Sequence, residues 1–255
     1  MKKVIIAVAL LVSGVMGASA QSKGTFAVGA DLVSSYVWRG VVQDVSSNGA
    51  FSKGTPNIQP SLTYTKGALT LGAWGSGAFT GGVKEVDIYA TYAISSLFSV
   101  TVTDYNWNSS LIFDTTDPKA PVSTGKESYF QYSKDKTGHV FEGTLSYAGT
   151  TSLPLSVSLN TMVYGADKKA TDATKQAYST YYELGYPLAD NAKLFLGGTL
   201  NESVNYGTTG FAVTNVGVKV SKNLVFTDKF SLPVYGVFGL NPCSESAFFV
   251  AGITF

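Results

Sequence analysis

Apolar side chains recur at every second position through most of the chain beyond residue 24, which is the period of strands that bury one face. Residues 25–39 set Phe26, Val28, Ala30 and Leu32 against Thr25, Ala27, Gly29 and Asp31. Residues 57–66 set Ile58, Pro60, Leu62 and Tyr64 against Asn57, Gln59, Ser61 and Thr63, and residues 85–94 set Val86, Ile88, Ala90 and Tyr92 against Glu85, Asp87, Tyr89 and Thr91. Residues 68–79 are ambiguous, because Trp74 has the opposite parity from Leu69 and Leu71. The rhythm continues through 97–107, then past Phe141, Leu145 and Tyr147 with Glu142 on the minor face. It runs on through 155–160, through 178–186 with Glu183 on the minor face, and through 194–200. Val216, Val218 and Val220 then oppose Lys219, and Leu232 to Leu240 leads to a last segment whose apolar face is Ala247, Phe249, Ala251, Ile253 and Phe255. The pattern predicts about twelve strands of ~10 residues.

The connections between these segments fall into two sets. One set, 40–56, 80–84, 108–126, 165–176, 202–210 and 242–245, holds the three longest and most polar stretches. The other, 67, 95–96, 148–154, 187–191 and 222–229, is mostly tight. A β-sandwich has no reason to sort its loops this way, whereas a barrel crossing a membrane does. Acids and amides lie on the minor face, and no charge interrupts the middle of the apolar one. The expected fold class is therefore all-β: a transmembrane antiparallel up-and-down β-barrel of about 12 strands with its polar face inside.

The start of the chain fits export. Met1-Lys2-Lys3 is positive, Val4 to Val12 is apolar, and Ala18-Ser19-Ala20 has the small-x-small form of a cleavage site. The apolar run falls short of the ~18 residues of a spanning helix. Residues 1–20 are thus expected to be a cleaved signal peptide and 21–255 one outer-membrane barrel domain. Charged residues make up 14% of the chain and aromatics 13%, which suits strands that face lipid with aromatic rings at the interfaces. The same composition fits a secreted sandwich, which would not stay in the membrane fraction without detergent. A net charge of +1 gives no basic field for nucleic acid, and a single cysteine, Cys243, excludes a scaffold of intrachain disulfides.

Several stretches together carry a resemblance: Asp31-Leu-Val-Ser-Ser-Tyr-Val-Trp-Arg-Gly40, Thr103-Asp-Tyr-Asn-Trp107, Met162-Val-Tyr-Gly-Ala-Asp167, and Phe230-Ser-Leu-Pro-Val-Tyr235 to Asn241-Pro242. With them the mature chain resembles a family of small Gram-negative outer-membrane proteins labelled porins or hypothetical outer-membrane proteins. The resemblance implies the barrel fold and localisation in the bacterial outer membrane. The amphipathic last strand ending in Phe255 also resembles the terminal strand that barrel-assembly machinery reads, which implies that machinery and outer-membrane lipid as partners.

On the inward parity stand Asp31, Glu85, Asp87, Glu142 and Glu183, against Arg39 and Lys219. A mildly acidic lumen of this kind favours small cations or neutral solutes, so the expected role is a porin-like channel for passive diffusion. The alternative is a non-conducting barrel whose outer loops act as adhesin, receptor or structural surface. Tyr89, Tyr181, Phe195 and Tyr235 also point inward and are expected to narrow the lumen. Arg39, the only arginine, is expected at the outer end of the first strand as a constriction group or the partner of an inward acid, beside Trp38 in the interfacial belt. Phe249 and Phe255 are expected to face lipid on the closing strand. His139, the only histidine, has outward parity near a strand end, with Asp104 and Asn106 on the preceding one. That prompts a Ser–His–polar lipid hydrolase, but Phe141 and Thr161 are the neighbours where a serine is needed, and no enzyme is expected. The sequence shows no metal cluster, phosphate loop or cofactor motif.

Overall fold

The computed structural model describes residues 23–43, 54–79, 84–107, 111–113, 121–123, 129–133 and 137–255. The expected signal peptide and much of the 41–56 and 108–126 loops lie outside these residues. Twelve antiparallel strands form one closed barrel in which each pairs with its neighbours in sequence. They are β1 Thr25–Val33, β2 Asn57–Lys66, β3 Leu69–Ala78, β4 Lys84–Ala93, β5 Phe98–Tyr105 and β6 Val140–Tyr147. They continue as β7 Ser156–Gly165, β8 Thr180–Ala189, β9 Ala192–Thr199, β10 Ala212–Thr227, β11 Phe230–Asn241 and β12 Ser246–Thr254. Long and short connections alternate as the sequence predicts, so the barrel has a loop pole and a turn pole.

The seam that closes the barrel joins Asp31–Val33 to Gly252–Thr254. It is extended by paired backbone bonds between Ala30 and Phe255 and by Ser34, whose Oγ accepts from Ala251 N at 2.9 Å. Outward positions are the apolar ones: Phe26, Val28, Val86, Ile88, Val102, Phe238, Phe249 and Phe255 are all exposed. Trp74 resolves to the inner face, where its ring lies 5.5 Å from that of Tyr36. Strand tips differ most from expectation in two places. The 216–220 segment lengthens to sixteen residues in β10, shrinking its turn to Asp228-Lys229. The first strand stops at Val33 instead of running to Arg39.

Twelve strands ~4.8 Å apart, tilted by ~40°, close on a backbone cylinder of about 24 Å diameter. Side chains fill an eight-strand interior, but not one of this width. How the extra space is used differs along the axis, and the residues after Val33 decide it.

Candidate functional site

Tyr36–Gln43 turns back into the barrel as a small hairpin. Val37 pairs with Val42 and Trp38 with Val41, and Gln43 N donates to Tyr36 O at 2.9 Å. Its two tip residues are Arg39 and Gly40, with φ of 51° and 83°. Both central residues at positive φ make a tip of the I′ kind, whose twist matches a hairpin. Glycine takes this conformation freely, whereas arginine must be held there by its surroundings. They do hold it. Thr214 Oγ1 donates to Arg39 O at 3.3 Å, and Asn241 Nδ2 donates to Gly40 O at 3.1 Å. A methyl group at position 40 would overlap the Thr214 carbonyl, so the tip sits against the inner wall at β10 and β11.

The hairpin reaches across the lumen because its two faces are both apolar. Val37 and Val42 pack with Val33, Tyr235, Val237, Phe248 and Val250 on one wall. Trp38 and Val41 pack on the other side with Tyr105, Trp107, Val140, Met162, Tyr181 and Tyr206. Trp38 lies stacked on Tyr206, with ring centroids 5.0 Å apart, and Tyr206 stacks on Tyr181 at 5.4 Å. Trp38 is therefore a lumen residue, not the interfacial belt residue its position after a long first strand suggested.

From the tip, Arg39 makes a two-pronged ion pair with Glu142. Nη1 donates to Oε2 at 2.6 Å and Nη2 to Oε1 at 2.7 Å, and Nη1 also donates to Tyr206 Oη at 2.6 Å. The guanidinium is 4.6 Å above the Trp38 ring and 4.8 Å from that of Tyr181. Tyr105 Oη donates to Glu142 Oε1 at 3.1 Å. With side-chain exposures of 14% and 1%, this is a buried, charge-assisted clamp in which both planes are satisfied. Burial pushes the hydroxyls of Tyr206 and Tyr36 above the usual phenol range, so both remain neutral at physiological pH.

Two hollows adjoin the hairpin, with Tyr36 common to both linings. The larger, about 260 Å³, lies between the hairpin and the β8–β12 wall and is lined by Glu183, Phe195, Asn215, Lys219 and Tyr235 among others. The smaller, about 160 Å³, is lined by Trp38, Gln43, Glu85, Trp107 and Asn205. Of the sequence-predicted inward charges, Glu142 and Arg39 meet in the clamp. Asp31 accepts from Tyr235 Oη at 3.2 Å, and Lys219 Nζ sits 4.1 Å above the Tyr235 ring. Glu85 and Asp87 are buried at 4% and 5% exposure, with Asn106 N donating to Asp87 Oδ1 at 3.2 Å. Lys193 is a further inward cation that parity reasoning passed over; its stem lies on Gly185.

Of the inward rings expected to narrow the lumen, Tyr181 does so, packed with Tyr206 and Trp38, whereas Tyr89, Phe195 and Tyr235 do not. Tyr89 faces Gly72 across its strand pair, Phe195 faces Gly217, Phe248 faces Gly239 and Tyr235 faces Gly252. In each pair a methyl group on the glycine would overlap the ring, so each ring lies on the wall of the adjacent strand. Tyr181 also covers a glycine, Gly197, from a diagonal position. The glycines make room along the wall and keep the directly paired rings out of the centre.

His139, on the barrel rim just before β6, is 1% exposed. Tyr129 and Tyr132 from the long β5–β6 connection cover it, with ring centroids 5.0 and 4.4 Å away. Its Nδ1 bonds Asp104 Oδ1 at 2.7 Å, and its Nε2 lies 2.5 Å from Tyr129 O and 3.0 Å from Asn106 Nδ2. These partners, among the described residues, tie a loop to the barrel rim, and none is a hydroxyl. Cys243 is exposed in the short β11–β12 connection. No group of His, Cys, Asp and Glu among the described residues is arranged to hold a metal ion.

No family model matches the sequence, and no curated protein matches it.

Proposed function

We propose that the chain is a bacterial outer-membrane barrel and serves as a narrow channel for small neutral or cationic solutes, constricted by the Tyr36–Gln43 hairpin. The exposed apolar residues around the outside, including Phe26, Val28, Ile88, Val102 and Phe249, supply the belt a bilayer needs. The resemblance to Gram-negative porins points the same way. The observation that carries the reading is the inner wall. Cross-strand glycines receive the aromatic rings, and hollows with charged and polar side chains among their lining remain beside the inward hairpin. A barrel serving only to display loops has no use for such a wall.

Selectivity follows from charge. The wall contributes Asp31, Glu85, Asp87, Glu142 and Glu183, and the cations are Arg39, Lys193 and Lys219. Arg39 and Glu142 neutralise each other, and with the neighbouring buried Glu85 and Asp87 sharing one charge the remaining acids still outnumber the bases and favour cations. Solute moves by diffusion past the hairpin, whose clamp keeps the constriction in place.

The hairpin's contact with both walls favours a second reading, a sealed barrel that acts through its loops. Single-channel recording of refolded protein in a planar bilayer under a salt gradient separates the two. Small discrete steps with a cation-favouring reversal potential, weakened by Asp87→Asn, are expected. A silent bilayer from correctly folded protein would sink the channel and leave the sealed barrel.

A further inference from the structure

The larger hollow contains a hydrogen-bonding mismatch that its own walls leave open. Asn215 on β10 is 7% exposed, and its Nδ2 donates to Tyr181 Oη at 3.2 Å and to Glu183 Oε2 at 3.4 Å. Its Oδ1 has no hydrogen-bond donor among the described residues. Turning the amide over offers no relief, because it would set Oδ1 against the Glu183 carboxylate. A buried acceptor without a donor is costly and marks a place where something else belongs.

Glu183 presents the matching deficit. Its Oε2 accepts from Tyr181 Oη at 2.9 Å and from Asn215, both neutral donors. The ion pairs among the described residues are Arg39–Glu142, His139–Asp104 and Lys175–Asp172, none of which involves Glu183. Glu183 and Asn215 both oppose Gly197 on the strand between them, so no side chain separates them. The other cations lining the hollow are engaged elsewhere: Arg39 by Glu142, and Lys219 over the Tyr235 ring, whose hydroxyl binds Asp31. Phe195 supplies an apolar surface on the same inner wall.

We propose that this corner binds a small organic ammonium solute. Its N–H groups would donate to Glu183 and to Asn215 Oδ1, and its carbon stem would lie along Phe195. A carboxylate plus an amide oxygen matches several donors carrying positive charge. A neutral polyol would satisfy Asn215 but leave the Glu183 charge uncompensated, and an anion would meet like charge. The volume of about 260 Å³ exceeds the ~150 Å³ that suffices for benzene, so such a molecule fits. The proposal deepens the channel reading and rests on it for how solute arrives, whereas binding itself is an equilibrium property.

Calorimetric titration of the refolded full barrel in detergent micelles with butylammonium, and separately with glucose, tests the site without reference to conduction. Saturable butylammonium binding is expected, weakened at least tenfold by Glu183→Gln and by Asn215→Ala. Lys219→Met, which removes a like charge from the hollow, should tighten it severalfold. Circular dichroism and heat-dependent gel mobility confirm that each variant is folded. Absence of saturable binding, binding unaffected by Glu183→Gln, or glucose binding in preference to butylammonium would each overturn the proposal. Binding without bilayer conductance would retire the channel and leave the site standing; conductance without binding would do the reverse.

Discussion

The two ends of the lumen are built from the same twelve strands yet filled by opposite means. Toward the turn pole the inner face is small and hydroxylated: Thr65 bonds Thr70 at 3.1 Å and Thr91 bonds Thr101 at 2.8 Å across strand pairs, so the polar groups satisfy each other along the wall. Toward the loop pole the interior is a packed core of Trp38, Tyr105, Val140, Met162, Tyr181 and Tyr206 around the Arg39–Glu142 clamp. The strands alone do not close the lumen. Closure comes where a connection folds inward onto Tyr105, Val140, Met162 and Tyr181, whereas Tyr89, Phe195, Phe248 and Tyr235 are laid along the wall on glycines. Width and closure are thereby set by separate parts of the chain and can be changed separately.

The largest effect should follow from Arg39→Ala, which leaves the Glu142 carboxylate at 1% exposure without its cation. Breaking a buried pair costs about 3–5 kcal/mol, and the hairpin should leave its seat. Urea unfolding in micelles should register the loss and planar bilayers a rise in conductance. Unchanged conductance would mean that the hairpin is not the constriction. The opposite sign is expected at the wall. Gly72→Val and Gly239→Val force Tyr89 and Phe248 off their glycines, at an overpacking cost of about 1–3 kcal/mol. Conductance should drop, and if it holds steady the glycines do not set the width. Trp38→Ala removes the stack on Tyr206, worth ~0.5–1.5 kcal/mol beyond area. Its conductance should fall between that of wild type and Arg39→Ala.

The smallest effect concerns pH at the loop pole. Asp167 accepts from Ser179 N and Oγ, Gln176 Nε2 and Asn205 Nδ2. Burial nevertheless pushes its carboxyl above the usual carboxylate range. A carboxyl raised in the folded state is held best when protonated, so its loops should be firmest in acid and loosen as pH rises from the usual carboxylate range through the raised value. Limited proteolysis of the 166–179 connection across pH should show this trend. Asp167→Asn should flatten it, and a slope that survives the substitution would assign the trend to another group.

The barrel was readable because period-two alternation and sorted connection lengths both report on it, and β2, β4 and β6 appear where the pattern puts them. The hairpin was not, although Val37-Trp38-Arg39-Gly40-Val41-Val42 has an X-Gly pair between apolar doublets. Alternation simply continues from β1 through Trp38, and an arginine at positive φ is too uncommon to suggest a tip. The flat rings escaped notice for a different reason. Parity says that Tyr235 points inward, but only the cross-strand register shows that Gly252 lies opposite. His139 looked exposed because parity takes no account of a loop folded over the outside of the rim.

The clamp's partners also impose an order of events. Arg39 bonds Glu142, Tyr206 and, through its carbonyl, Thr214, which lie 103, 167 and 175 residues further along, and Gly40 bonds Asn241, 201 further. Among the earliest of the described segments to be synthesised, the hairpin finds its seat only after β6, β10 and β11 have been made and brought round. Docking of Trp38 therefore records that the cylinder is complete, giving the molecule an internal signal, visible in indole fluorescence, that separates an assembled barrel from an open sheet.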